Sequence, residues 1–235
     1  YSPPAWIETK PDGKWSPSQI PGCQTVKVGA KWQVLTDSSI GDWVQSSRNF
    51  QMWATRLFTE SLRRDYKMNS FSIHLLIDAW PAGWLKAVMD YDRQAKPAYF
   101  AYRDALSPLA VNLRPDAFYG FSGETNRVGV WICNDYPKAF KNMTLKYQIE
   151  FKGKVIRTGH LLTNVAASNP FFEGWLAVKM PAVNEKDHLT VRVAIESESG
   201  KTIHDSQVKL AIYPSKDKFK NLIRPGGTPQ RLIAH

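Results

Sequence analysis

The chain has 235 residues, 43% of them hydrophobic and 22% charged, and carries nine Trp and a formal net charge of +10. This is ordinary globular composition, rich in indoles and long enough for two modest domains. It contains no run of about eighteen apolar residues, which excludes a helical membrane span, and its His and Cys residues are too scattered to give metal-ligand spacing.

Residues 1–45 are rich in Pro, Gly, Ser and Lys, with isolated Trp at 6, 15, 32 and 43. Neither a period of 2 nor one of 3.6 persists there, so the stretch reads as a long ordered loop pinned by its indoles. The chain opens Tyr-Ser-Pro-Pro, with no initiator Met and no apolar leader. It is therefore expected to be an excised piece or a processed product.

A helix is expected from about Asp42 to Lys67. Phe50, Trp53, Ala54, Leu57, Phe58 and Leu62 fall on one stripe, as helical periodicity requires. Asp42 or Ser46 can cap its start, and Arg63, Arg64 and Lys67 suit its C-terminal dipole.

Phe71 to Ile77 is almost wholly apolar, the pattern of a strand covered on both faces. It breaks into Asp78, Trp80, Pro81 and Trp84. A carboxylate and two large aromatics after such a strand have the makings of a sugar site. The acid accepts hydrogen bonds from hydroxyls, and the rings stack on C–H faces. The plainer alternative is equally open: indoles packed in the core, with Asp78 a hydrogen-bonded rim or turn acid. His74 lies in the strand, where a lone His is more often a satisfied core residue than a site residue. Lys96-Pro97 then opens a shorter helix over residues 95–106, with Pro97 tolerated in the first turn and Pro108 closing it. Helix, buried strand, loop and helix together form an αβα unit.

From Leu109 the period changes to 2. Candidate strands run from Leu109 to Leu113, Arg127 to Cys133, Leu145 to Phe151, Phe172 to Val178, Leu189 to Glu196 and Val208 to Tyr213, separated by Gly, Pro, Asn and Asp clusters. Lys154 to Arg157 extends the third into a hairpin through Lys152-Gly153. About seven short strands at this spacing point to an immunoglobulin-like β-sandwich over residues 108–215. Residues 216–235 are basic, contain Pro225-Gly-Gly, and read as a tail.

The excess of Lys and Arg would suit nucleic acid, but these residues are spread out, with one local concentration from Lys209 to Lys220, so nucleic acid is not the expected partner. Cys23 and Cys133 read as two free buried thiols or a single disulfide. Asn142-Met-Thr144 is a glycosylation sequon. No cofactor is indicated.

Leu76-Ile-Asp-Ala-Trp-Pro-Ala-Gly-Trp84, then Val88-Met-Asp-Tyr-Asp and Lys96-Pro-Ala-Tyr99, resembles the end of the catalytic barrel in glycoside hydrolase family 2, nearest to its β-mannosidase-like branches. That family shows Trp-Gln-Leu-Asn-Asp-x-Trp-Pro-x-x-Ser-Trp, then Val/Ile-Asp-Tyr and Lys-Pro-x-Tyr. Asp78, Trp80, Pro81, Trp84, Asp90, Tyr91, Lys96, Pro97 and Tyr99 match. His74 stands where the family has its sugar-floor Trp, and Ile77 where it has Asn. The Pro17-Ser-Gln-Ile-Pro21 piece resembles the loop after the nucleophile strand.

The resemblance implies that residues 1–107 are the last part of a (β/α)8 barrel with a long N-terminal loop, followed by the β-sandwich and the basic tail. It implies retaining hydrolysis of a terminal β-glycoside by the parent enzyme, with Asp78, Trp80, Trp84 and His74 forming one wall of the sugar site. Retaining glycosidases use two carboxylates about 5–5.5 Å apart. The family places them on Glu residues in motifs that this sequence does not contain. Glu8 lies near the expected nucleophile region, but Pro3-Pro4 spoils a strand there, so no catalytic residue is assigned. Expected partners are the carbohydrate and the remainder of the parent enzyme, with no membrane. The compartment stays open, a secreted or periplasmic parent being one expectation. A reading of a different class is a non-catalytic β-sandwich module that binds carbohydrate or protein.

Overall fold

The computed structural model describes residues 40–68, 70–78 and 87–215. The expected N-terminal loop with Glu8, Cys23 and its indoles, the basic tail, and the loop bearing Trp80, Pro81 and Trp84 lie outside them. The chain divides into two compact units, with Ser107 opening the longer stretch of the second.

The first unit contains helix α1 (Ile40–Arg63) and helix α2 (Pro97–Ala105). The helix expected from Asp42 to Lys67 is thus present with its end drawn back to Arg63. Its apolar stripe is only half covered: Phe50, Trp53, Ala54, Leu57 and Leu62 are partly buried, and Phe58 is 68% exposed. The side chains buried on α1 are polar, namely Ser47, Thr59 and Glu60. Glu60 is matched by Arg56 one turn earlier at 2.8 Å, and Arg56 also reaches Asp104 of α2 at 2.9 Å. Helix α2 buries Ala98, Ala101 and Ala105, a narrow small-residue face, and starts with Pro97 after an extended Lys96. Pro suits that position because its missing N–H would have had no helical partner.

The buried strand expected over Phe71 to Ile77 is absent. The segment bends at His74 and Leu76 and makes a single bridge from Ile77 to Met89, and Leu76 is 55% exposed. An apolar run becomes a buried strand only when neighbouring strands satisfy its backbone and cover its faces. No such strands occur among the described residues of this unit.

The second unit is a β-sandwich. Its strands are β1 (Leu109–Pro115), β2 (Tyr119–Phe121), β3 (Thr125–Asn134), β4 (Phe140–Phe151), β5 (Lys154–Val165), β6 (Asn169–Lys179), β7 (Asp187–Glu196) and β8 (Thr202–Tyr213). One sheet has the order β1-β3-β6 and the other β2-β8-β7-β4-β5. All neighbours are antiparallel except β2 and β8. Every expected strand is present. The three-residue β2, which sequence reading did not anticipate, is too short to establish a period.

The core is the inward alternation of both sheets: Leu109, Val111 and Leu113 of β1 with Val128, Val130 and Ile132 of β3 meet Leu145 and Ile149 of β4, Leu189 to Ile195 of β7, and Leu210 and Ile212 of β8. Each such side chain contributes about 1.5–3 kcal/mol through burial. The sheets are also tied at their open side, where Thr163 of β5 donates to Glu173 of β6 at 2.7 Å and Arg157 donates to the Ala177 carbonyl at 3.0 Å.

The hairpin from β4 to β5 turns at Lys152-Gly153, with φ of 51° and 71°. Two left-handed residues are what a tight two-residue hairpin requires. A Cβ at Gly153 would meet nothing within 4 Å, whereas one at Gly159 would lie 2.5 Å from Tyr147 Cε1. Gly153→Ala therefore costs only the left-handed conformation, about 1–2 kcal/mol. Gly159→Ala, which must displace a packed ring, is expected to cost more. Denaturant midpoints of the two variants give the order.

Candidate functional site

The residues following the segment 71–77 converge on one carboxylate. Asp78 is 7% exposed, and its Oδ2 lies 2.7 Å from Nζ of Lys96. Lys96 is 1% exposed, and the same ammonium donates to the Ala87 carbonyl at 3.0 Å. That carbonyl also accepts from Nε2 of Gln51 on α1 at 2.8 Å.

The backbone around this pair forms a continuous set of hydrogen bonds. Asp78 N–H donates to Met89 O, Val88 N–H to Leu75 O, Met89 N–H to Leu76 O, and Lys96 N–H to Val88 O. A turn from Asp90 to Gln94 closes the loop: Asp90 N–H donates to Gln94 O, and the Asp90 carboxylate accepts from Gln94 N–H at 2.8 Å. The Tyr91 phenol beside this turn is held above its ordinary value, chiefly by the Asp92 carboxylate, with burial and Asp90 adding to the effect.

Lys96 occupies an unusual position. It caps the start of α2, where the helix dipole disfavours a cation. A buried ammonium in that place needs a carboxylate, and Asp78 supplies it. Only one carboxylate oxygen is used this way: Oδ1 of Asp78 is buried and has no hydrogen-bond partner among the described residues. A buried acceptor without a donor is costly. Chemically the arrangement is a fixed carboxylate with one oxygen paired to Lys96 and the other buried without a donor among the described residues.

His74 sits apart from this pair. It is exposed and lines an open, mostly apolar pocket of about 290 Å³ with Phe50, Phe58 and Leu62 of α1, Phe71 and Tyr102. The peptide bond between His74 and Leu75 is cis. Among the described residues no hydrogen bond joins His74 to Asp78. The structure thus places two of the four expected site residues, at separate points, and Trp80 and Trp84 fall outside the described residues. Lys96 and Asp90 hold the loop that precedes α2. The ion pair between Lys96 and Asp78 was missed, although a lysine directly before a helix-opening Pro was the available signal.

Among the described residues no His, Cys, Asp and Glu group could hold a metal ion, and no helix is long and apolar enough to cross a membrane. Cys133 is buried, and its Sγ accepts from Asn112 Nδ2 at 3.1 Å.

No protein-family model and no curated protein matches the sequence. Solved structures do match. An exo-chitosanase of Amycolatopsis orientalis in complex with PNP-beta-D-glucosamine aligns at a TM-score of 0.53 and 18% identity, over 74% of this chain and 20% of that one. A beta-D-mannosidase of Dictyoglomus thermophilum aligns at 0.54 and 20% identity, over 75% and 20%. An exo-beta-D-glucosaminidase inhibited by a castanospermine analogue aligns at 0.56 and 18% identity, over 80% and 21%. The chain spans about a fifth of the length of these structures. Their likeness to it is one of fold, and it fits the C-terminal part of such glycosidases, in line with the resemblance carried by residues 71–99.

Removing one member of the buried pair leaves the other charged and unmatched. Asp78→Ala is expected to cost about 3–5 kcal/mol of stability, and the double change Asp78→Leu with Lys96→Met to restore most of it. Denaturant unfolding of the three proteins measures both values. An Asp78→Ala variant as stable as the parent would show that the pair is not closed in solution.

Proposed function

We propose that this chain is the C-terminal portion of a family 2-like retaining glycoside hydrolase acting on terminal β-glycosides. In this reading residues 1–107 are the last αβα unit of the (β/α)8 barrel, and residues 108–215, next in the sequence, are an immunoglobulin-like sandwich. The main support is the buried Asp78 carboxylate, held at Oδ2 by Lys96 and without a donor at Oδ1 among the described residues, within the stretch that resembles the family's barrel end. The solved glycosidases with the same fold add to it.

Asp78 then accepts a hydrogen bond from a sugar hydroxyl through Oδ1. Trp80 and Trp84 supply a stacking wall and a packed support, and His74 stands in for the floor aromatic. Lys96 is a positioning residue: it fixes the carboxylate through Oδ2. The acid/base and the nucleophile come from the rest of the parent enzyme. Carbohydrate and that remainder are the partners; membrane and nucleic acid have no part.

The test is steady-state hydrolysis of 4-nitrophenyl β-glycosides by the full-length parent. Asp78→Asn keeps an oxygen for Lys96 and presents an N–H where a hydroxyl must donate. Loss of a charge-assisted hydrogen bond costs about 1.5–3 kcal/mol, so kcat/KM is expected to fall roughly ten- to a hundredfold. A purely structural Asp78 would lower the melting temperature and leave kcat/KM unchanged below it. Trp80→Ala and Trp84→Ala are expected to separate: the wall residue loses activity, while the packed one loses about 3–5 kcal/mol of stability. The 235-residue chain alone is expected to turn over no glycoside, and measurable turnover by it would overturn the assignment of the catalytic pair.

A further inference from the structure

The edge of the five-stranded sheet is long and carries exposed apolar side chains. β5 has twelve residues and pairs only with β4 among the described residues. Natural edge strands are kept from pairing by shortness, Pro, Lys, bulges or inward charges, and β5 carries Lys154, Arg157 and a bulge at Ile156. β5 has no Pro and no acidic residue, and it exposes four large aliphatic side chains: Val155 (52%), Ile156 (49%), Leu161 (50%) and Leu162 (70%). Nor is it loose, because Thr163 and Arg157 tie it to β6 across the sandwich.

The register of β5 points to what covers it. Leu161, Gly159 and Arg157 stand opposite Leu145, Tyr147 and Ile149 of β4, on the inward face, and Leu162, His160 and Thr158 face outward. Between Arg157 and Val155 the register shifts by one residue: Ile149 opposes Arg157, while Glu150 opposes Val155. Such a bulge sets two consecutive residues, here Ile156 and Arg157, against one partner, so that Val155 faces outward with Leu162.

We propose that the free edge of β5 is the interface of a symmetric dimer in which β5 pairs antiparallel with β5 of a second copy, on a two-fold axis at Gly159. Two sheets joined by an axis normal to the sheet must match inward with inward and outward with outward residues. A register centred on Gly159 does so. His160 meets Thr158 of the second copy. Leu161 meets the Ile156–Arg157 bulge on the inward face, and Leu162 meets Val155 on the outward face. The four exposed aliphatic residues are then each other's partners, twice over. Lys154 falls opposite Thr163, so no like charges are opposed. The self-complementarity follows from the strand's own pattern and is independent of the glycosidase reading.

Sedimentation velocity of the full 235-residue chain tests it, across a wide range of concentration. The chain is expected to dimerise reversibly. Val155→Lys with Leu162→Lys puts lysine opposite lysine at both ends of the interface and is expected to raise the dimer dissociation constant at least tenfold. Val155→Glu with Leu162→Lys opposes glutamate to lysine in the same register and is expected to restore the dimer. Phe58→Glu on α1 is expected to leave it unchanged. All these positions are exposed, and unchanged circular dichroism verifies the fold. A chain that stays monomeric, a dimer that survives the double lysine change, or a Glu/Lys pair that fails to restore it overturns the proposal.

Discussion

A buried ammonium must be matched, and in the first unit the rest of the loop structure depends on how Lys96 is matched. Its Nζ holds Asp78 and the Ala87 carbonyl together, while its own N–H holds Val88. One residue thereby fixes the end of the segment 71–77, the return of the chain at residues 87–90 and the start of α2. Buried ion pairs are weak sources of net stability, because desolvation offsets much of the attraction. Their strength is geometric: a misplaced carboxylate leaves an unmatched charge, so the loop closes in one way.

The same constraint orients the carboxylate. With Oδ2 committed to Lys96, Oδ1 is fixed in direction and has no partner among the described residues. Natural proteins leave buried acceptors unsatisfied rarely, and such atoms call for an explanation in strain, solvent or ligand. In the proposed function a sugar hydroxyl would supply that donor. The sandwich, in contrast, closes its own core and needs nothing from the first unit's loop chemistry to do so. What it leaves open is an edge.

How much of this was legible in the sequence follows from range. The sandwich strands were legible because each carries its own period of 2: Val128, Val130 and Ile132 report an inward face without reference to any partner. The turn at Lys152-Gly153 was legible because left-handed geometry selects its residues locally. Phe71 to Ile77 misled, because an apolar run specifies burial only if other strands exist to bury it. The Asp78–Lys96 pair spans eighteen residues and has no local period, so the two residues could be singled out separately while their bond could not. The stripe on α1 was read correctly as a helix, but its half-exposed state depends on what packs against it, which periodicity does not encode.

The central claim is that Asp78 presents one bound and one open oxygen to a sugar. A crystal structure of the full-length parent with a glycosidase inhibitor of the castanospermine type measures this directly. The account predicts Asp78 Oδ2 on Lys96 and Oδ1 within hydrogen-bond distance, about 2.5–3.0 Å, of an inhibitor hydroxyl. An inhibitor bound with Oδ1 turned away and satisfied by a protein donor would contradict it.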